Sequence, residues 1–236
     1  MNESLTVWDR RWLLKAGAVV APVLLLAGAL AFAPKGAWLS SFETVHFRGR
    51  DVGLQDWHGA FSLLDTSGKR RTLRDFGGKV VLLAFGYTRC PDACPTTLLR
   101  LAKARQLLEE DADKVQVLFV TIDPERDGAQ MLESYVHTFD PTFVGLRGNE
   151  AETDAATDAF HADYRIMQHG KDVLVEHTVD TYLIDPVGRV RVVLPYSLSA
   201  EDVANDVHTV LRDSGLCWPW SRNEASTPGR SPTRAS

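Results

Sequence analysis

Two cysteines with three residues between them, Cys90 and Cys94, stand directly after an apolar strand-like run, Val80 to Ala84, and directly before a helix-like stretch, Thr96 to Glu110. A strand feeding a helix puts the pair at a helix N-terminus, where the dipole and free N–H groups favour thiolate over thiol. Thiolate is the species that binds soft metals and attacks disulfides. Four positions apart at a helix start, the two side chains can share one face, close enough to form a disulfide or hold one metal ion. The plain alternative is a pair of small buried hydrophobes. Pro91 and Pro95, with the placement at a helix start, argue against it.

Composition sets the outer limits of what can surround this pair. The chain has 236 residues and a net charge of −5, and 44% of its residues are hydrophobic. That is enough for a targeting segment plus one domain with a real core, and it gives no reason to expect nucleic-acid binding. Three cysteines are too few for a disulfide scaffold, so they read as one working pair and a remainder, Cys217.

The N-terminus reads as a membrane anchor or export signal over residues 1–34. Arg10, Arg11 and Lys15 precede an uncharged apolar run from Ala16 to Ala33. As a helix that run spans about 27 Å, close to the hydrocarbon thickness of a bilayer. The basic residues lie before it, which keeps the N-terminus in the cytoplasm and sends the remainder to the periplasmic side. Arg10-Arg11 also resembles a twin-arginine export signal. Small residues permit cleavage near Ala31 or Ala33, whereas Trp12 and Trp38 bracket the run like the belts of a retained single-pass anchor; both outcomes stay open, with the anchor preferred.

Residues 35–50 read as a tether and 51–215 as the folded domain. Phe61 to Asp65 alternates and is followed by a Thr66–Lys69 turn, predicting a short hairpin. Val80 to Phe85 and Val115 to Ile122 predict buried strands, and Phe143 to Leu146 a short one. Helices are predicted from about Ala129 to Phe139, over Glu150 to His161, and from a Ser199 cap to about Arg212. Thr181–Ile184 and Arg189–Leu194 predict a hairpin about Asp185–Gly188. This order predicts an α/β fold of thioredoxin type, a central sheet flanked by helices, preceded by one transmembrane helix. Residues 216–236 are Ser/Pro/Arg-rich and predict a disordered tail.

With these motifs in place the chain resembles the Sco (SenC) family of thioredoxin-like, copper-delivering proteins that serve cytochrome c oxidase assembly. The likeness covers about Phe61 to Leu211. It is carried by Gly78–Leu83 running into Phe85-Gly86-Tyr87-Thr88-Arg89-Cys90-Pro91-Asp92-Ala93-Cys94-Pro95, by Thr121-Ile122-Asp123-Pro124-Glu125-Arg126-Asp127, by Phe139-Asp140-Pro141, and by His177 four residues before Thr181. Arg89 departs from the family, which commonly has His there, and the extension after Ser214 lies outside the pattern.

The resemblance implies a copper site made of Cys90, Cys94 and His177. Donor chemistry agrees: thiolates suit Cu(I), and imidazole suits copper in either oxidation state. Zinc would want a fourth ligand. A lone histidine before a strand is usually structural, and the other histidines, placed upstream or in and beside helices, make no claim; His177 stands on the loop expected to face the cysteines. Asp92 reads as a turn former and Asp123 as a residue that shapes the cysteine loop or a turn. Met131 and Met167 are thioethers whose spacing fits core packing.

Three functions are weighed. A copper metallochaperone would load the binuclear copper centre of an oxidase subunit, taking copper from a periplasmic donor. A thiol-disulfide oxidoreductase would use Cys90 and Cys94 as a redox pair, with a thiol reductant as partner. A peroxidase fails, because the Pro-x-x-x-Thr-x-x-Cys signature is absent around both cysteines. The chaperone is favoured, because the spacing has three residues where redox enzymes usually have two, and His177 falls where thioredoxins carry a cis-proline.

Overall fold

The computed structural model describes residues 46–169 and 172–214, and the account below is of the unit that begins at His46. Two seven-residue runs lie at the heart of it. β4 (Val80–Gly86) is buried at every position, and β5 (Val115–Thr121) at all but Gln116. Such runs leave no wet face, so the strands must be covered on both sides, and they pair in parallel from Val80↔Val115 to Gly86↔Thr121. β6 (Val144–Arg147) extends the parallel set beside β5. Antiparallel strands complete an eight-stranded sheet: β1 (Arg50–Asp51), β2 (Leu63–Asp65), β3 (Arg70–Arg71), β9 (Thr181–Ile184) and β10 (Val190–Leu194), in the order β1-β10-β9-β4-β5-β6-β2-β3. The β9–β10 turn needs Gly188, whose φ of 92° lies in the left-handed region.

Among the described residues four α-helices cover the sheet: α1 (Ala93–Leu107), α2 (Ala129–His137), α3 (Glu150–Ala159) and α4 (Ala200–Asp213). α1 packs on α4, and α2 on β6. Ser199 caps α4 as expected, its hydroxyl accepting from the Asp202 N–H at 3.1 Å. Asn149 and Glu152 form the same reciprocal cap on α3, each accepting from the other's backbone at 2.9 Å. The arrangement is the expected thioredoxin-like α/β fold.

Three features differ from the sequence reading. First, residues after α3 form a separate hairpin, β7 (Tyr164–His169) against β8 (Asp172–His177), in register from Tyr164↔His177 to His169↔Asp172. His177 therefore ends a strand and does not stand on a loop, and His169 lies in β7 and not beside a helix. Second, the first cysteine helix begins at Ala93 and ends at Leu107, so Cys94 lies inside it. Third, Met131 and Met167 are not core residues: they are 47% and 38% exposed. The stretch read as a tether is fixed before it ends, because the buried Asp206 carboxylate accepts the N–H groups of Arg48 and Gly49 at 2.7 and 2.8 Å.

Among the described residues no helix is long and apolar enough to cross a membrane. The Ala16–Ala33 run, Trp12, Trp38 and the tail with Cys217 lie outside the described residues.

Candidate metal centre

The sheet delivers the cysteines. β4 ends at Gly86, and the chain turns through Tyr87 to Cys90, whose N–H donates to the Tyr87 carbonyl at 3.2 Å. Cys90 is half-buried in that loop, while Cys94, one turn later in α1, is 3% exposed. The Cys94 N–H donates to Cys90 Sγ at 3.4 Å, tying the loop cysteine to the first turn of α1. Gly86 makes the close packing possible. A Cβ there would stand 2.7 Å from Cys94 Sγ and 2.8 Å from the Phe119 ring.

His177 arrives from the end of β8. Its Nε2 lies 3.5 Å from Cys94 Sγ. Its Nδ1 lies 2.8 Å from the Thr178 carbonyl, an acceptor, so Nδ1 holds the ring proton and the Nε2 lone pair faces the sulfur. The ring of Tyr87 sits edge-on to the imidazole with centroids 6.0 Å apart. One donor atom from each of Cys90, Cys94 and His177 falls within 4.8 Å of the other two. Among the described residues this is the only such group of His, Cys, Asp or Glu. The three residues singled out from the sequence are thus brought together, and no fourth side chain of these types joins them among the described residues.

Burial sets the electrostatics. It pushes the Cys94 thiol well above its ordinary pKa, with Cys90 and Asp127 adding in the same direction and a Tyr87 backbone hydrogen bond opposing. For this cysteine, desolvation outweighs the helix N-terminus invoked from the sequence. Burial also lowers the His177 pKa below 6.5, against the opposing Thr178 hydrogen bond, so the imidazole is neutral at pH 7. A neutral imidazole and two thiols that release their protons to solvent as a cation binds form a soft donor set.

The loop is held by a residue that the sequence reading quoted but gave no role. The fully buried Asp127 carboxylate accepts from the Thr88 N–H at 2.9 Å, the Thr88 hydroxyl at 2.6 Å and the Thr121 hydroxyl at 2.6 Å. It straps the cysteine loop to the end of β5. Asp123, given that task as one option, is instead paired with Arg126. A signal for Asp127 was present in the two threonines that precede the cysteines and end β5, but only their spatial convergence reveals it. Asp92 occupies the N-cap position of α1 without a side-chain capping bond, and its carboxylate receives only a long bond from the Thr96 hydroxyl at 3.4 Å. Met131 lies on the rim, its sulfur 3.5 Å from the Thr88 hydroxyl.

A thioredoxin-like sheet with two thiols and an imidazole converging beyond its central strand defines a protein of soft-metal or thiol chemistry. The SCO1/SenC family profile matches residues 50–212, and the chain belongs to that family. The human "Protein SCO2 homolog, mitochondrial" is 33% identical over 194 residues, covering 78% of this chain and 73% of its own. The structure of Bradyrhizobium japonicum ScoI with copper bound is 34% identical with a TM-score of 0.60, covering 65% of this chain and 99% of that one. BsSco, a member of the Sco family of cytochrome c oxidase assembly proteins in which a disulfide switch was identified, is 22% identical with a TM-score of 0.53, covering 69% and 94%, and informs the fold alone.

Proposed function

We propose that this protein is a copper metallochaperone. It binds one copper through Cys90, Cys94 and His177 and passes it to the binuclear copper centre of a cytochrome c oxidase subunit. The observation that carries the reading is the convergence of two sulfurs and one imidazole nitrogen within 4.8 Å, with no fourth side chain of those types in the group among the described residues. Three soft or borderline donors suit Cu(I) and leave a position for the acceptor's incoming ligand. Copper in the related ScoI supports the choice of metal.

The half-buried Cys90 at the rim favours a second reading, thiol-disulfide exchange that reduces the acceptor subunit's cysteines. A periplasmic copper donor and a thiol reductant would then complete the cycle. We place the domain on the periplasmic side, tethered by a helix of about Leu13 to Ala33, because the basic residues precede that run and Trp12 and Trp38 bracket it. A tether raises the effective concentration of donor at a membrane-bound acceptor.

Copper stoichiometry tests the first reading. Reduced full-length protein, free of oxygen, is expected to bind one copper per chain and none when the pair is oxidised. Full binding by a Cys90→Ser, Cys94→Ser double variant would remove the assignment. Fractionation tests the tether: mature protein in the soluble periplasm, beginning after Ala31 or Ala33, would replace the anchor by a cleaved signal.

A further inference from the structure

Tyr87 follows Gly86, the last residue of β4, and touches every member of the Cys90, Cys94 and His177 group. Its carbonyl accepts from the Cys90 N–H at 3.2 Å. Its own N–H donates to Cys94 Sγ. Its ring stands edge-on to the His177 imidazole, with centroids 6.0 Å apart and planes at 80°. Its hydroxyl is hydrogen-bonded to the Cys90 side chain. Any residue here could make the main-chain contacts, and any aromatic could make the ring contact. Only the bond from the hydroxyl to Cys90 needs tyrosine.

The direction of that bond follows from the groups around it. Arg126, whose charge reaches the hydroxyl, offers donors only and is itself paired with Asp123, so it cannot accept from the phenol. A phenol keeps its proton at pH 7, and burial strengthens that hold. The hydroxyl is therefore the donor and the Cys90 sulfur the acceptor. Tyr87 is 5% exposed, so the bond lies in a site largely closed to water. While Cys90 is a thiol the bond is weak, because a neutral thiol is a poor acceptor. When copper displaces the thiol proton the acceptor becomes a thiolate, and the same bond becomes charge-assisted, about twice as strong as a neutral one.

A hydrogen bond to a thiolate draws electron density from the sulfur. A Cu(II)–thiolate bond depends on that density more than a Cu(I)–thiolate bond does, because Cu(II) has a half-empty d orbital to receive it. A donor on the sulfur therefore weakens Cu(II) binding more than Cu(I) binding, and hydrogen bonding around a cysteine sulfur tunes the potential of copper sites in this way.

We infer that Tyr87 is a positioning and specificity-determining residue of the copper site: its hydroxyl donates to the Cys90 thiolate in the loaded protein and biases the site toward Cu(I). The inference rests on the copper reading above and adds the oxidation state that the site prefers.

The test compares full-length wild-type protein with Tyr87→Phe, which keeps the ring and the main chain and removes only the hydroxyl. Both proteins are loaded with Cu(I) and, separately, with Cu(II) under argon. Competition with a chelator for each oxidation state reads the two affinities, and absorption reads the sulfur-to-Cu(II) charge-transfer band. In the variant the ratio of Cu(I) affinity to Cu(II) affinity should fall by about threefold or more, which is about 28 mV or more at 59 mV per tenfold. The band should move to longer wavelength, because the sulfur electrons are no longer stabilised by the donor. A merely structural tyrosine would change stability in urea, or both affinities by one factor, and would leave the ratio and the band in place. An unchanged ratio, a ratio shifted toward Cu(I), or an unmoved band would overturn the inference. Wild-type protein that binds no copper would overturn the copper reading and this inference with it; that failure is seen without the variant, so the two are distinct.

Discussion

Replacing Gly86 by alanine gives the most direct test of how the fold sets the metal site. The added methyl would stand 2.7 Å from Cys94 Sγ and 2.8 Å from the Phe119 ring, where ordinary contact begins at 3.4 Å. The sulfur must therefore retreat by about 0.7 Å, or the ring and β4 must move. Metal–ligand distances tolerate only about 0.2 Å. A shift of about 0.7 Å should thus cost copper affinity about tenfold or more, which corresponds to ~1.4 kcal/mol. Overpacking a closed core should also cost about 1–3 kcal/mol of stability. Competition against a chromophoric Cu(I) chelator under argon reads the first effect, and urea unfolding reads the second. Gly128→Ala is the matched control, because nothing lies within 4 Å of a Cβ there. Wild-type affinity in the Gly86 variant, with stability unchanged within about 0.5 kcal/mol, would refute the claim that Gly86 exists to let Cys94 approach.

Asp127→Ala should leave the Thr88 N–H, the Thr88 hydroxyl and the Thr121 hydroxyl without their acceptor, costing about 3–5 kcal/mol in urea unfolding and weakening copper binding in the protein that remains folded; a loss below about 1 kcal/mol with copper binding intact would show that the strap is dispensable. Apparent copper affinity should rise about tenfold per pH unit near pH 7 for each proton displaced, because burial raises the Cys94 pKa and the thiol carries its proton into the reaction, whereas His177, with a lowered pKa, is already neutral; pH-independent affinity across pH 7–8, measured by the same competition, would contradict this. His177→Ala should weaken copper binding or change its spectrum while leaving disulfide exchange largely active; unaltered affinity and spectrum would return the histidine to a structural role.

Much of the site was legible because its signals are local. The strand before Cys90 is a continuous apolar run with one structural solution, and Cys90 and Cys94 are four residues apart on its exit. His177 was placed through its likeness to the family pattern and its distance from Thr181, not through any local pattern of its own. The β7–β8 hairpin escaped because its strands pair with one another as a separate two-stranded sheet, so the order of the main sheet does not call for them. Met131 and Met167 misled because helical or strand spacing says which residues share a face, not which face the sheet covers. Asp127 escaped for a different reason: its partners Thr88 and Thr121 are 39 and 6 residues away, and only the pairing of β4 with β5 brings them to one carboxylate.

The inequality of the two cysteines bears on which chemistry the site can perform. In thiol-disulfide exchange the half-buried Cys90 would attack a partner's disulfide, forming a mixed disulfide and releasing one partner thiolate. Cys94 must then attack Cys90 Sγ, closing the intramolecular disulfide, expelling the second partner thiolate and losing its own proton. That last step is hindered here, because burial holds the proton on Cys94. Transfer of the proton to His177, whose Nε2 is 3.5 Å away, would create an ion pair in a buried site, and burial opposes the charged form of both groups. A soft cation changes the balance, since it supplies the positive charge that stabilises the Cys94 thiolate and takes the His177 lone pair as a third donor. The same burial that slows resolution of a mixed disulfide therefore makes deprotonation of Cys94 conditional on metal. A site built this way holds its thiols ready for copper, and gives up that readiness only when an oxidant joins Cys90 to Cys94.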